Sequence, residues 1–299
     1  MRPGLAAPMM ASTHGKPEKV RTVAIKDLLV HVDSSRAMPA RVSAAATLAR
    51  RHDAHLSGLY VLELPVLPSY AEAQIPAEII KAQRNAFLAR AAAAEQQFRE
   101  LTEKLGVRSE WRCVEDRRID ALSLHAQYAD LVIVGQPDPR DPECVSAGLA
   151  GRLALESGRP VLMIPAAGVA GDIGRNVLVG WNAKREAVRA VNDAMPLLES
   201  ADKVSVVTIN AKAGDPENEG LPTADIGLHL ARHDIKIETM SIFGAPAAIG
   251  QLLLDAARDV SADLLVIGAY GHTRLAETIF GGVTAHVLTH TGIATLLAH

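Results

Sequence analysis

The chain has 299 residues, about twice the length of an ordinary single domain, which predicts two domains of similar size. Its net charge of -3 excludes a general electrostatic attraction to nucleic acid or to an anionic membrane surface. Two cysteines, Cys113 and Cys144, are too few for a disulfide framework and predict free thiols in a reducing compartment, although one bridge between them stays open.

The first twenty residues are rich in Pro, Gly and polar side chains and lack the continuous apolar segment of a signal peptide. We therefore expect residues 1–20 to form a flexible tail and the protein to be cytoplasmic. No stretch has the apolar length of a membrane span, so no membrane partner is expected.

The first half alternates short apolar runs with helical patterns, which is typical of a parallel sheet with crossover helices. A long Ala-rich helix is predicted at about 77–105, after a stretch punctuated by prolines. The small-residue loop 165–174 predicts a linker, so the first domain is expected at 21–167. Its strands are predicted at about 27–32, 56–62, 108–114, 130–135 and 160–164.

The second half follows the same plan and is expected to form a domain at 173–299. Its strands are predicted at about 176–181, 203–209, 235–242, 263–268 and 293–298. Its helices are predicted at about 184–199, 224–233, 246–260 and 282–290.

Two sequence repeats relate the halves. The segment Ala129-Asp-Leu-Val-Ile-Val-Gly135 returns as Ala262-Asp-Leu-Leu-Val-Ile-Gly268. Near the start of each half, Leu28-Leu-Val-His-Val-Asp33 matches Val177-Leu-Val-Gly-Trp-Asn182. The fold class predicted from these repeats is α/β, with two doubly wound, Rossmann-like parallel sheets of five strands in tandem.

The turn after the fourth strand of the second half is the strongest candidate for a binding loop, because ligands of such sheets lie beyond the carboxyl ends of the strands. Gly268-Ala-Tyr-Gly271 follows the strand directly, and Gly281-Gly282-Val283-Thr284 opens the next helix. Glycine lets the backbone approach a ligand, and amides at a helix N-terminus favour a phosphate, to which the Thr284 hydroxyl could add a donor. The competing interpretation is that these glycines only permit tight turns.

The spacing Gly268-xx-Gly271-x9-Gly281, between an Ala-Asp-apolar strand and a final helix and strand, resembles the nucleotide loop of the universal stress protein family. That fold is of the adenine nucleotide alpha-hydrolase type, and the loop binds ATP or a related nucleotide in some members and not in others. The resemblance implies that Ile267 and Gly268 border the adenine and ribose, Gly271 and Gly281 the phosphates, and Asn182 and Thr208 the base, with Gly282, Val283 and Thr284 opening the helix.

Two positions of the second half depart from the family pattern. Asn182 stands where an aspartate is usual, which changes the groups of the nucleotide that can be paired. Gly282 stands where a serine or threonine is usual, which removes a phosphate donor that Thr284 replaces only in part. We expect an adenine nucleotide, if one is bound, in the second domain only.

The first half has the opposite combination. Asp33 ends its first strand as the family pattern requires, but its loop reads Gly135-Gln-Pro-Asp138. Pro137 has no N–H to donate, and the charge of Asp138 would repel a phosphate. The first domain is therefore expected to bind no ATP and to serve as a structural or regulatory partner.

No metal site or catalytic residue is assigned. His286 and His290 lie four residues apart on the last predicted helix, but they lack the further ligands that a metal site needs. No nucleophile elbow or phosphate-loop lysine is present, and Asp263 and Glu277 are interpreted as structural or solvated. Slow ATP hydrolysis is the only enzymatic activity left open.

The leading hypothesis is a non-enzymatic stress-response protein in which a nucleotide in the second domain biases conformation or partner binding. The alternatives are an interaction or small-ligand module with a vestigial loop, and a slow ATPase. The resemblance also implies association through the last strand of each domain, as a pseudo-dimer within the chain and as a homodimer.

Overall fold

The computed structural model describes residues 24–63, 76–210, 222–269 and 282–299. The predicted tail, residues 1–20, lies outside these ranges. The strands are β1 Asp27–Val32, β2 His55–Leu62, β3 Ser109–Glu115, β4 Leu131–Gly135, β5 Val161–Ile164, β6 Asn176–Gly180, β7 Lys203–Ile209, β8 Ile237–Ile242, β9 Leu264–Gly268 and β10 Ala294–Ala298. The helices are α1 Met38–His52, α2 Ala77–Lys104, α3 Arg118–Ala126, α4 Leu149–Glu156, α5 Arg185–Leu198, α6 Pro222–Ala231, α7 Ile249–Asp259 and α8 Gly282–His290.

The strands confirm the predicted α/β fold and add that the two halves share one sheet. Its order is β3-β2-β1-β4-β5-β10-β9-β6-β7-β8, so each half has the same order of five parallel strands. The halves meet where β5 pairs antiparallel with β10, through Met163 with Thr295, Leu162 with Leu296 and Val161 with Leu297. This is the pseudo-dimer within one chain that the family resemblance implies.

The same pairing corrects one expectation. A homodimer through the terminal strands would need the free edges of β5 and β10, but each of these strands has a neighbour on both sides within the chain. Any association between two copies must therefore use another surface.

Two aspartates explain the repeated Ala-Asp motif. Asp263 precedes β9, and its carboxylate accepts hydrogen bonds from the backbone amides of Gly174, Arg175 and Asn176, where β6 begins. Asp130 does the same in the first half, accepting from the amides of Lys26 and Asp27 at 2.7 and 3.0 Å. The carboxylate thus fixes the start of the first strand against the fourth in each half, and Asp263 has the structural role expected of it.

The long helix α2 covers the outer part of the first half. Its buried side chains are Ala91, Ala94, Phe98 and Thr102, all in its C-terminal half. Phe98 packs against Trp111 of β3, with 5.6 Å between ring centroids, and lies over Gly58 of β2, where a Cβ would be only 2.7 Å from the ring. Within the described ranges, no helix combines the length and apolar character needed to cross a membrane.

Replacing Asp263 with alanine should lower the free energy of unfolding by about 2 kcal/mol, because three amides lose a charged acceptor. Urea denaturation measures the change, with Asp259→Asn, at an exposed carboxylate ending α7, as the control. An Asp263→Ala protein as stable as the control would contradict this role.

Candidate functional site

The carboxyl edge of the second half brings four of the predicted site residues to one place. Gly180, the last residue of β6, pairs with Val207 of β7 on one side and with Ile267 of β9 on the other. Asn182 follows β6, Thr208 follows Val207, and Gly268 ends β9. Neighbouring strand ends therefore place Asn182, Thr208, Ile267 and Gly268 at the same edge.

Two of these side chains already have protein partners. The buried Thr208 hydroxyl lies 3.1 Å from the Ser241 hydroxyl on β8. The exposed Asn182 carbonyl oxygen accepts a hydrogen bond from the amide of Lys184 at 3.1 Å, in the turn that leads into α5. Aspartate can make this turn as well, since Asp33 accepts from the amide of Ser35 at the matching place in the first half. The turn therefore tolerates either residue.

The missing side chain of Gly268 makes room for a helix. A Cβ at this position would lie 2.5 Å from the backbone carbon of Glu186 and 2.6 Å from the amide nitrogen of Ala187, both in the first turn of α5. The predicted role of this glycine was close approach to a ligand. The structure assigns this face of Gly268 to the packing of α5 against the end of β9.

The remaining predicted residues concern the loop and the helix that follows it. Gly271 and Gly281 lie outside the described residues. Gly282, Val283 and Thr284 form the first turn of α8, where backbone amides have no acceptor within the helix. Gly282 is exposed, and no atom of the described residues lies within 4 Å of the place of a Cβ there, whereas Thr284 is buried. The first turn of α8 is thus accessible through Gly282.

In the first half, a buried arginine fills the corresponding place. Arg41 of α1 is 2% exposed, and its guanidinium donates to the Asp33 carboxylate and to the backbone oxygen of His31, both at 2.8 Å. The same guanidinium lies directly against Gly135, so a Cβ there would clash with it. The aspartate that matches the family pattern is therefore engaged by the protein itself.

The loop after β4 closes this edge further. Asp141 is buried and accepts a hydrogen bond from the amide of Arg36 at 2.7 Å, which ties the loop to the turn after β1. Asp138, where a glycine would allow a phosphate, is paired with Arg140. The free Cys144 contacts the amide of Asp138 through its sulfur at 3.2 Å.

Burial and charge control the protonation of Asp33 and His31, which lie beside Arg41 in the first half. Burial alone would raise the pKa of Asp33, but Arg41 and His31 outweigh it and lower the pKa to about 2. Burial lowers the pKa of His31 to about 3, against the attraction of Asp33 and with the help of Arg41 and Arg118. His31 is therefore neutral at physiological pH, and Asp33 and Arg41 form a buried ion pair.

No metal centre is built from the described residues, in which no group of three or more His, Cys, Asp or Glu side chains could hold an ion. His286 and His290 stack with 4.3 Å between ring centroids, and Nδ1 of His290 lies 2.9 Å from the backbone oxygen of His286.

Comparison with known proteins gives the family of the second half. Residues 174–299 match the model of the universal stress protein family. The second half of the chain is a universal stress protein domain. The limits predicted for the two domains, 21–167 and 173–299, remain predictions.

Solved structures support the fold of the whole chain. A universal stress protein from Archaeoglobus fulgidus matches with a TM-score of 0.72 and 12% identity, over 91% of this chain and 96% of that one. A Pseudomonas aeruginosa protein assigned to the same class matches with a TM-score of 0.53 and 14% identity, over 92% and 93% of the two chains. A universal stress protein in complex with cAMP covers 48% of this chain and 98% of its own, with 21% identity and a TM-score of 0.33. No curated protein sequence matches the chain.

Sequence reasoning missed the residue that fills the first-half edge. Arg41 lies three residues after the buried Met38, on the face of α1 that packs on the sheet. A charged residue on such a face normally has a partner, so the position of Arg41 in the sequence indicated a buried ion pair. The universal stress protein domain has Ala190 on the buried face of its matching helix, α5, so its own edge is not filled in this way.

Replacing Gly268 with alanine should destabilise the universal stress protein domain by about 2 kcal/mol, because the new Cβ would force α5 away from β9. Gly292→Ala is the matched control, since open space surrounds the Cβ position there. Thermal unfolding of both variants measures the difference, and equal stabilities would refute the packing role.

Acidification should destabilise the protein through His31. The unfolded chain takes up a proton near pH 6.5 and the folded chain only near pH 3, so this contribution is present above pH 6.5 and is lost as the pH falls. Between pH 6.5 and 4.5 a His31→Met variant should lose about 2 kcal/mol less of its free energy of unfolding than the wild type. The Asp33 contribution falls in a lower window, between pH 3.8 and about 2. Urea denaturation at several pH values measures both profiles, and parallel profiles would exclude the mechanism.

Proposed function

We propose that the protein is a stress-response regulator whose second domain binds ATP or a related adenine nucleotide. The base would lie at the ends of β6 and β7, near Asn182 and Thr208, with the ribose near Ile267 and Gly268. The phosphates would face the first turn of α8. The observation that carries the proposal is that the first half fills its matching edge with Arg41 and Asp33, whereas the first turn of α8 remains accessible.

The charges near the two edges also favour the second half as the nucleotide site. Lys184 precedes α5 and the exposed Arg185 begins it, so two cations stand beside the one carboxylate of its first turn, Glu186, which lies against Gly268. The first-half loop instead carries three carboxylates, those of Asp138, Asp141 and Glu143, and one cation, Arg140. Cationic side chains beside a helix N-terminus attract phosphate, whereas carboxylates repel it.

A regulatory role fits this site better than catalysis. The residues that we assign to the nucleotide offer backbone amides, a hydroxyl and a carboxamide, and none of these groups is a base that could activate water. Bound nucleotide would then act by favouring one conformation or one partner. We expect the protein to work in the cytoplasm, and any homodimer to form through a surface other than β5 and β10.

Substitutions at Gly282 test the site with little risk to the fold. Gly282→Asp should weaken ATP binding about tenfold or more by repelling the phosphates, while an acidic residue at a helix N-terminus preserves stability. Gly282→Ser should tighten ATP binding about threefold by adding a donor, and Gly282→Ala is the steric control. Adenosine affinity should be the same in all variants, because adenosine has no phosphate.

Equilibrium dialysis with ATP and with adenosine measures these affinities, and native mass spectrometry of the purified protein detects nucleotide that co-purifies. A wild-type protein that binds no ATP at about millimolar concentration, far above typical regulatory affinities, would favour the vestigial-loop alternative.

A further inference from the structure

The side chain of Gln136 connects the degenerate loop of the first half to the last helix of the second. Gln136 follows β4 directly and is 9% exposed. Its amide nitrogen Nε2 donates to the backbone oxygens of Leu288, Thr289 and Thr291, at 3.0, 3.2 and 3.1 Å. Its Oε1 accepts from the amide of Ala166 at 3.2 Å, so both ends of the carboxamide have partners.

These contacts pair backbone carbonyl oxygens at the C-terminal end of α8. The last carbonyls of a helix have no amide partner within it, and leaving them unpaired in a buried place is costly. A helix of nine residues is also too short to be stable by itself. Gln136 therefore holds the C-terminal end of the same helix whose first turn, roughly 12 Å away, faces the proposed phosphates.

Within the described residues, the position that aligns with Gln136 makes no such contact in the opposite direction. At the repeat shift that aligns Gly135 with Gly268, Gln136 aligns with Ala269, which has no side-chain donor. The matching helix of the first half, α4, is capped locally, because the Ser157 hydroxyl donates to the backbone oxygen of Leu153 at 2.6 Å. Gln136 of the first half thus caps the helix of the second, whereas the aligned Ala269 provides no such side-chain cap for the first.

We propose that Gln136 is a positioning residue that sets the nucleotide affinity of the second half by holding α8 in place for the phosphates. This inference rests on the proposed function. The loop that no longer suits a phosphate in its own half would then serve the site of the other half. Because binding free energies are reciprocal, a nucleotide that orders α8 must also tighten the Gln136 contacts.

A variant that keeps the volume of the side chain and removes its hydrogen bonds tests the proposal. Gln136→Met should weaken ATP binding about fivefold or more and change adenosine binding by less than about twofold, because only ATP uses the first turn of α8. Isothermal titration calorimetry with each ligand, at a temperature where all variants are folded, measures both affinities.

Two control variants separate this effect from a general loosening. Arg51→Met removes hydrogen bonds that join α1 to the backbone oxygens of Ile173 and Ser200, at 2.7 and 2.8 Å, and leaves α8 untouched. Ser157→Ala removes the hydroxyl hydrogen bond to the backbone oxygen of Leu153 at the end of α4. Neither should change ATP affinity by more than about twofold.

The possible results have distinct meanings. If Gln136→Met binds ATP as the wild type does, or loses ATP and adenosine in equal proportion, this inference is overturned and the proposed function stands. If the wild type binds no ATP, the proposed function fails and this inference fails with it.

A measurement on the wild-type protein covers the case in which Gln136→Met does not fold. ATP, but not adenosine, should slow hydrogen exchange about threefold or more at the backbone amides of Ala166 and Thr291. The amide of Ala166 donates to Gln136, and that of Thr291 donates to Val287 near the end of α8. Exchange rates that ATP leaves unchanged at both amides would overturn the inference.

Discussion

The antiparallel pairing of β5 with β10 is the contact on which the rest of the architecture depends. It joins two parallel halves into a single ten-stranded sheet and makes both terminal strands interior. Hydrophobic residues of both halves consequently pack in continuous clusters on each side of the sheet. Because the same pairing brings the end of β4 close to the end of α8, Gln136 can reach across to the other half.

The two halves use one backbone position in different ways. Gly135 and Gly268 end the fourth strand of their halves, and in each case the absent Cβ makes room for the helix after the first strand. In the first half the guanidinium of Arg41 occupies this space, and in the second half the backbone of α5 occupies it. A buried ion pair thus occupies one edge, while the other keeps an accessible helix terminus. This difference, rather than the glycines themselves, supports assigning a ligand to the second half.

Much of the fold follows from local patterns that can be recognised without a structure. Apolar runs separated by helical segments predicted the strands to within two residues at most ends, because buried parallel strands and amphipathic helices each impose a period on the chain. The repeated Ala-Asp motif revealed the duplication, and Asp130 and Asp263 show its cause in the amides that they bind. The candidate site was predicted less completely, since Asn182 and Gly268 prove to have partners within the protein.

The fold class and the duplicated plan could be inferred from the residues alone, because both depend on spacing along the chain. Tertiary structure alone decided that β5 meets β10, that Arg41 lies under Gly135, and that Gln136 caps a helix about 150 residues away. These contacts join residues distant in sequence. The partners of Gln136 are backbone oxygens that any residue could provide, so no pattern of residue types records its contacts, and only the packing of the two halves brings the atoms together.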